Sequence, residues 1–374
     1  MSTILLKGTS FPNVATSEII EQIEAKKRCK NKLSTWFHCE NIYYPNKLNI
    51  EQTSSEITAK YKSELISGKS IIDLTGGFGV DFFYFSKQFE NVVHTEINKS
   101  LSEIVNHNCK QLEISNIKTI NTDGIDYLKR ENTDFDWIYS DPSRRHDTRG
   151  KVFFLKDCLP NIPENLKVLF SHSKNVMLKT SPLLDISSGI SELENVKTIH
   201  VVAVNNEVKE LLWILKNGYN DSIAIETVNL KSTQDEKFNF KLKDEKDSIA
   251  SFNNPLTYLY EPNSAILKSG AFNQVSKQLG VFKLHQHSHL YTSESLIGFP
   301  GRTFRIEKAI SYNKKEINKL RIKKANITTR NFPESVQNIR KKFKIKDGGE
   351  NYLFFTTDLN NKKIVLIANK DLKL

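Results

Sequence analysis

From about residue 69 to residue 230 the chain repeats one pattern: short runs rich in β-branched residues, separated by segments long enough for a helix. The runs are "SIIDL", "NVVHTEI", "IKTIN", "DWIYSD", "NVMLKT", "TIHVVAV" and "SIAIETV". Parallel strands need long crossovers, and helices fill them, so the alternation predicts a doubly wound α/β domain with a mostly parallel sheet covered on both faces. Before it, residues 1–68 read as helical. "SEIIEQIEAKKRC" is expected behind a serine cap, and "TSSEITAKYKSELIS" as a second helix that Gly68 stops. After Leu230, "KSTQDEKFNFKLKDEKDS" reads as a connection or an exposed hairpin. Pro262 and Asn263 are expected to open a helix that runs to about Leu279. The last 75 residues combine a basic helix, "PESVQNIRKKFKI", with paired strands "NYLFFTTD" and "KKIVLIANK" turning at Asn360 and Asn361. The expected divisions are 1–68, 69–232, 233–300 and 301–374.

Composition narrows the function classes. No apolar run approaches the ~18 residues of a membrane span, and "MSTILLKGTSFPN" lacks the features of an export signal, so a cytoplasmic protein is expected. Cys29, Cys39, Cys109 and Cys158 form no C-x-x-C pair, which argues against a zinc ribbon or a disulfide framework. Charge is unevenly spread: residues 301–374 carry 19 Lys and Arg against 7 Asp and Glu, while the rest of the chain is almost balanced. A basic surface of this size attracts polyanions by releasing their counterions, and nucleic acid is the commonest such partner.

"SIIDLTGGFGVDFF" follows an apolar strand with Asp73 and then spends three glycines within four residues. A glycine turn at this place lets a ligand approach bare backbone at the carboxyl end of the strand. The dinucleotide fingerprint would need a glycine at position 82, where Phe82 stands, so a pyrophosphate is not expected. The stretch resembles the first motif of class I methyltransferases that use S-adenosylmethionine. The resemblance implies that the backbone of Thr75, Gly76, Gly77, Phe78 and Gly79 cups the amino-acid end of the cofactor, with Asp73 anchoring the loop or the ammonium. It further implies that Glu96, 23 residues on, receives the ribose hydroxyls, that Ile97 packs on the adenine, and that Asp123, followed by Gly124, accepts from the adenine amino group.

"FDWIYSDPSRR" ends a fourth strand in Asp141 and Pro142. It resembles motif IV of methyltransferases acting on nucleic acids, in which a rigid acid-proline corner faces the reacting sulfur. The resemblance implies catalytic roles for Asp141 and Pro142, with Asp141 also beside the cofactor, and directs Arg144 and Arg145 to a phosphate or base edge of the substrate. Ser143 stands where the motif has its second proline, and Arg144 where amino-methylating enzymes carry an aromatic. "VMLKTSPLLDIS" has no cysteine, which argues against uracil-C5 chemistry unless Cys158 takes that part. Gln52, Ser54 and Ser55 read as the start of a helix. His285, His287 and His289 alternate as they would on one face of an edge strand, and no metal is expected there.

From "YLYEPNSAILKSGAF" through "GFPGRTFRI" and "ANITTRNFPESV" to "DGGENYLFFTT", the chain resembles a bacterial family in which the Rossmann-like methyltransferase core precedes a small ferredoxin-like domain and a THUMP-like domain. This implies an S-adenosylmethionine-dependent enzyme with small α+β C-terminal domains. By analogy with THUMP domains it favours RNA, tRNA or rRNA, as the acceptor. Arg302, Arg305, Lys323, Lys324, Arg330, Lys341 and Lys342 are the candidate phosphate contacts. Two other readings stay open: a protein or small-molecule acceptor, and a nucleic-acid-binding protein that holds the cofactor without turnover. Oligomeric state is not legible.

Overall fold

The computed structural model describes residue 11, residues 13–144 and residues 154–370, with only the backbone of Arg144. It divides into two compact units, residues 1–199 with 210–221 and residues 200–209 with 222–374.

The first unit begins with helices at Thr16–Lys32, Ser34–His38, Lys47–Gln52 and Glu56–Glu64. The first has no side-chain cap: Ala15 occupies the N-cap position, where a serine was expected. The last is capped as expected, Ser55 accepting from the Thr58 N–H. Strands follow at β1 (Gly68–Asp73), β2 (Phe89–Glu96), β3 (Ile117–Asn121) and β4 (Trp137–Ser140). Next come the short β5 (Ser143–Arg144) and β6 (Cys158–Leu159), which pair only with each other, and then β7 (Asn175–Thr180). β8 (Val196–Val204) and β9 (Glu207–Lys216) each pass from one unit into the other along the chain.

In the first unit the strands lie in the order β3-β2-β1-β4-β7-β9. All these pairs are parallel except β7 with β9. The chain steps outward from β1 to β3 and then returns to the other side of β1 as β4. The carboxyl ends of β1 and β4 therefore flank a topological switch point, where open α/β sheets bind their ligands.

β9 is a strand that the alternating pattern does not single out. "ELLWILK" is a continuous apolar run, which periodicity alone cannot assign to strand or helix. Asn205 and Asn206, both at positive φ, make a tight turn that returns the chain antiparallel. Leu211, Leu212, Trp213 and Leu215 are fully buried. The N-terminal helices bury Cys29, Leu33, Trp36, Tyr44 and Ile50 against Phe78, Val80 and Phe83, the residues around the glycine turn. They form one wall of the first unit's core.

In the second unit, β10 (Ala224–Leu230) and β11 (Glu236–Lys241) form an antiparallel hairpin: the segment after Leu230, read as a connection or an exposed hairpin, supplies only its second strand, and the first is the run "SIAIETV" read as part of the mostly parallel sheet. Seven further strands follow: β12 (Tyr258–Pro262), β13 (Phe282–Lys283), β14 (Tyr291–Ser293), β15 (Gly301–Ser311), β16 (Lys324–Thr329), β17 (Lys346–Thr357) and β18 (Lys363–Asn369). They make one sheet in the order β13-β14-β12-β15-β18-β17-β16. β17 and β18 pair antiparallel across a turn with Asn361 at positive φ, as the sequence predicts. The helix expected from Asn263 to Leu279 is two helices, Ser264–Ser269 and Phe272–Leu279, because Gly270 adopts the left-handed conformation that ends a helix. The three alternating histidines do not share a strand face. They occupy a turn between β13 and β14, where His285 meets Asn331 and Asn361 and His289 stacks on Phe272. Among the described residues, no group of His, Cys, Asp and Glu could hold a metal ion.

Candidate active site

The glycine turn leaves β1 at its buried end. Asp73 is 2% exposed and accepts through Oδ1 from the Thr75 N–H at 2.9 Å and from the Thr75 hydroxyl at 3.3 Å. Burial pushes its carboxyl well above the usual carboxylate range. The Thr75 N–H opposes that shift, while Asp81 and Asp141 add to it. Gly76 sits directly over the His94 imidazole, where a Cβ would overlap the ring. The absent side chain thus makes room for the protein's own histidine beneath the loop. Gly77 and Gly79 are at φ +54° and +79°, which non-glycine residues seldom adopt. His94 is fully buried, packs on Phe82 at 4.7 Å between ring centroids, and has no hydrogen-bond partner for either nitrogen. Burial pulls its pKa down to about 4, so the ring is neutral.

The other sequence candidates of this unit gather at the same strand ends. Glu96, at the tip of β2, accepts the Gly77 N–H at 2.9 Å and the Asn98 N–H at 2.7 Å, so its two oxygens tie the glycine turn to the start of the next helix. Ile97 beside it is 73% exposed, an apolar side chain held open to solvent. Asp123 caps the helix Gly124–Arg130, accepting from Ile125 and Asp126. Phe78 turns away into the core under the N-terminal helices, so only its backbone lies in the turn. At the tip of β4 the Asp141 N–H donates to Thr75 Oγ1 at 2.6 Å, which joins the two motifs directly. Pro142 is buried after it, and Arg144 pairs along the backbone with Cys158. Arg145 lies outside the described residues. The Cys158 thiol is buried and donates to the Phe154 carbonyl.

Beneath these tips lies an ion network that the motifs do not announce. Lys179, on β7, pairs through Nζ with Asp141 Oδ2. Burial opposes its charge, but Asp141, Glu210 and Asp81 more than offset this and raise its pKa. Lys62 is wholly buried and reaches Glu210 Oε1 and Oε2 at 2.7 and 2.8 Å, Ser54 Oγ at 3.2 Å and Asp81 Oδ1 at 3.2 Å. Asp81 Oδ2 accepts from Ser54 at 2.8 Å and from the Tyr139 hydroxyl at 2.7 Å. Burial disfavours its charge, yet Lys62 and Lys179 hold it below the usual range. Burial pushes Glu210 upward against the same two lysines. A carboxyl that accepts from one ammonium through both oxygens is nonetheless ionised, since a protonated oxygen would turn its O–H toward that donor. The sequence signal for Lys179 and Glu210 is a charged residue directly beside an apolar run, "VML" and "LLWIL".

The candidate phosphate contacts all lie in the second unit, and they are not equally free. Arg302 and Arg330 both fork onto the buried carboxylate of Glu261. Lys342 reaches Glu334 and the Tyr312 hydroxyl. Among the described residues, Arg305, Lys323, Lys324 and Lys341 take part in no ion pair.

A parallel sheet with a glycine turn after its first strand, acids at the tips of β1, β2 and β4, and an antiparallel strand beyond β7 defines the class I methyltransferase architecture. A crystal structure of a protein from Porphyromonas gingivalis W83, assigned as a methyltransferase, matches with 34% identity over 99% of this chain and 94% of that one, at a TM-score of 0.92. The chain belongs to that family: methyltransferases whose core is followed by ferredoxin-like and THUMP-like domains. A family model described as conserved hypothetical protein 95 matches residues 45–197, a ferredoxin-like domain model residues 258–300, and a THUMP domain-like model residues 301–370. An rRNA methylase from Streptococcus thermophilus matches at 12% identity over 44% of this chain and 98% of its own, with a TM-score of 0.32, too low to bear on this chain's chemistry. No curated protein sequence matches the chain.

Proposed function

We propose that this methyltransferase uses S-adenosylmethionine and modifies RNA. The observation that carries the cofactor reading is the convergence of the Thr75–Gly79 turn, Glu96, Ile97 and Asp123 with the Asp141 corner around one switch point. The residues fit such a molecule. Two glycines at positive φ leave the turn without side chains, a carboxylate stands one strand away, and a large apolar side chain is kept exposed next to it. When bound, the cofactor supplies an activated methyl group. The chain's own task is to orient the acceptor and to keep a proton acceptor near it, since in-line transfer depends mainly on alignment. Asp141 suits that second task. Its backbone is fixed by Thr75, one oxygen is held by Lys179, and its side chain remains 30% exposed.

RNA is favoured by the charge of residues 301–374 and by the THUMP-like match. Arg305, Lys323, Lys324 and Lys341 are the freest candidates for phosphate contacts. Arg302, Arg330 and Lys342 contribute from within their ion pairs, and Arg144 and Arg145 stay candidates by the motif resemblance alone. The test is transfer of labelled methyl from S-adenosylmethionine to total RNA and to total protein from cells lacking this chain, followed by mass spectrometry of the nucleosides. Label in a single modified nucleoside supports the reading. Label only in protein removes RNA from it.

A further inference from the structure

The ion network behind the crevice is unbalanced. Asp81, Glu210 and Asp141 supply three carboxylates, and Lys62 and Lys179 supply two ammonium groups; a fourth acid beside them, Asp73, is buried, which pushes its carboxyl well above the usual range. All five belong to the first unit. Lys62 is wholly buried, Glu210 is 2% exposed and Asp81 is 9% exposed, so these three cannot swing into bulk water, while the Asp141 side chain is 30% exposed. Asp81 Oδ1 is buried without a hydrogen-bond partner although it lies 3.2 Å from the Lys62 ammonium, and the neighbouring Ser140 hydroxyl at the tip of β4 also lacks one. The excess of one negative charge is therefore built into the wall of the crevice, and its open end is Asp141.

An uncompensated charge in a poorly solvated site acts on any ion placed beside it far more strongly than the same charge would in water. On the cofactor reading above, on which this inference rests, the ligand before transfer carries a sulfonium and the ligand after transfer a neutral thioether. The rest of the two molecules is the same.

We infer that the excess carboxylate of the Lys62–Asp81–Glu210–Lys179–Asp141 network makes the crevice a charge-selective site, which holds the sulfonium cofactor in preference to its thioether product. Selectivity then follows the net charge of the network and not the shape of the pocket. It would promote exchange of spent for fresh cofactor without any movement of the turn.

The prediction has opposite signs for two neighbouring substitutions. Asp141→Asn removes the excess negative charge, and Lys179→Met adds one. Titration calorimetry at low salt, with S-adenosylmethionine, S-adenosylhomocysteine and the amine analogue sinefungin, reads the effect without any acceptor. The sulfonium-to-thioether affinity ratio should fall about fivefold in Asp141→Asn and rise about fivefold in Lys179→Met. It should return near the wild-type value in the double variant, with sinefungin following the sulfonium. A ratio that stays constant, or that moves the same way in both variants, overturns the inference. The wild-type protein gives a second reading that needs no variant to fold: thioether binding as tight as both cationic ligands also overturns it. If none of the three ligands binds the wild-type protein, the cofactor reading fails first, a result distinct from binding without charge preference.

Discussion

Lys62 and Glu210, 148 residues apart in sequence, form a fully buried ion pair in which one ammonium meets both carboxylate oxygens at 2.7 and 2.8 Å. The pair joins the helix before β1 to strand β9 and, through Asp81, to the helix that follows the glycine turn. Removing one partner of a buried pair strands the other, which is costlier than removing both. Lys62→Met is expected to lower unfolding free energy by about 3–5 kcal/mol, and Lys62→Met with Glu210→Gln to recover part of that loss. Urea denaturation of the single and double variants decides it, and a Lys62→Met variant as stable as wild type would contradict the account.

The glycine turn makes a second prediction. Because a Cβ at position 76 would enter the His94 ring, Gly76→Ala must displace either the turn or the histidine. Overpacking of this kind costs about 1–3 kcal/mol. Combining it with His94→Ala should restore stability relative to His94→Ala alone, so that the two substitutions are strongly non-additive. Additive effects in thermal melts would show that the ring and the turn do not share that space.

His94 also fixes a direction with pH. Its folded pKa is drawn down to about 4 by burial, against 6.5 when free. The unfolded chain therefore binds a proton that the folded chain refuses between those values. The folded state loses nothing to this group above pH ~6.5 and is progressively destabilised as pH falls toward 4, by up to roughly 3 kcal/mol. His94→Gln should flatten that part of the stability profile. An unchanged slope between pH 6.5 and 4 would count against a neutral buried ring.

Much of the site was legible because its residues end strands that lie side by side. Asp73, Glu96 and Asp141 close three apolar runs, and parallel register carries three strand ends to one edge of the sheet. Gly77 and Gly79 announce themselves through the backbone conformation they permit. Lys62, Asp81, Lys179 and Glu210 carry no such mark. Their partners lie on distant elements, and a lone charge in an apolar run looks the same whether it is paired or solvated until the elements are packed. β9 was hidden for a related reason: a strand buried on both faces has lost the alternation by which strands are read. Glu261 shows the same limit in the second unit. Arg302 and Arg330 stand out by charge, but nothing in their spacing says that one buried acid holds both.

That contrast among the basic residues yields a prediction for RNA binding. Alanine at Lys323, Lys324, Arg305 or Lys341 should weaken binding and reduce the slope of log affinity against log salt by about 0.7–0.9 for each phosphate that is no longer neutralised. These substitutions should leave the melting temperature of the protein unchanged. Glu261→Gln should instead destabilise the fold, because it removes the shared negative charge and turns an amide NH2 donor toward one of the two guanidinium groups. Electrophoretic mobility shifts with total tRNA across a salt series separate the two classes. Equal slopes in all variants would remove these residues from the interface.

Calorimetric titration of S-adenosylmethionine into the wild-type protein and into Glu96→Gln tests the central claim most directly. Glu96→Gln keeps an acceptor for the Gly77 N–H but weakens the carboxylate proposed to meet the ribose. The account predicts one molecule bound per chain and at least about tenfold weaker binding in the variant, as expected when a charge-assisted hydrogen bond is removed. No binding by the wild-type chain, or equal affinity in the two proteins, would contradict it.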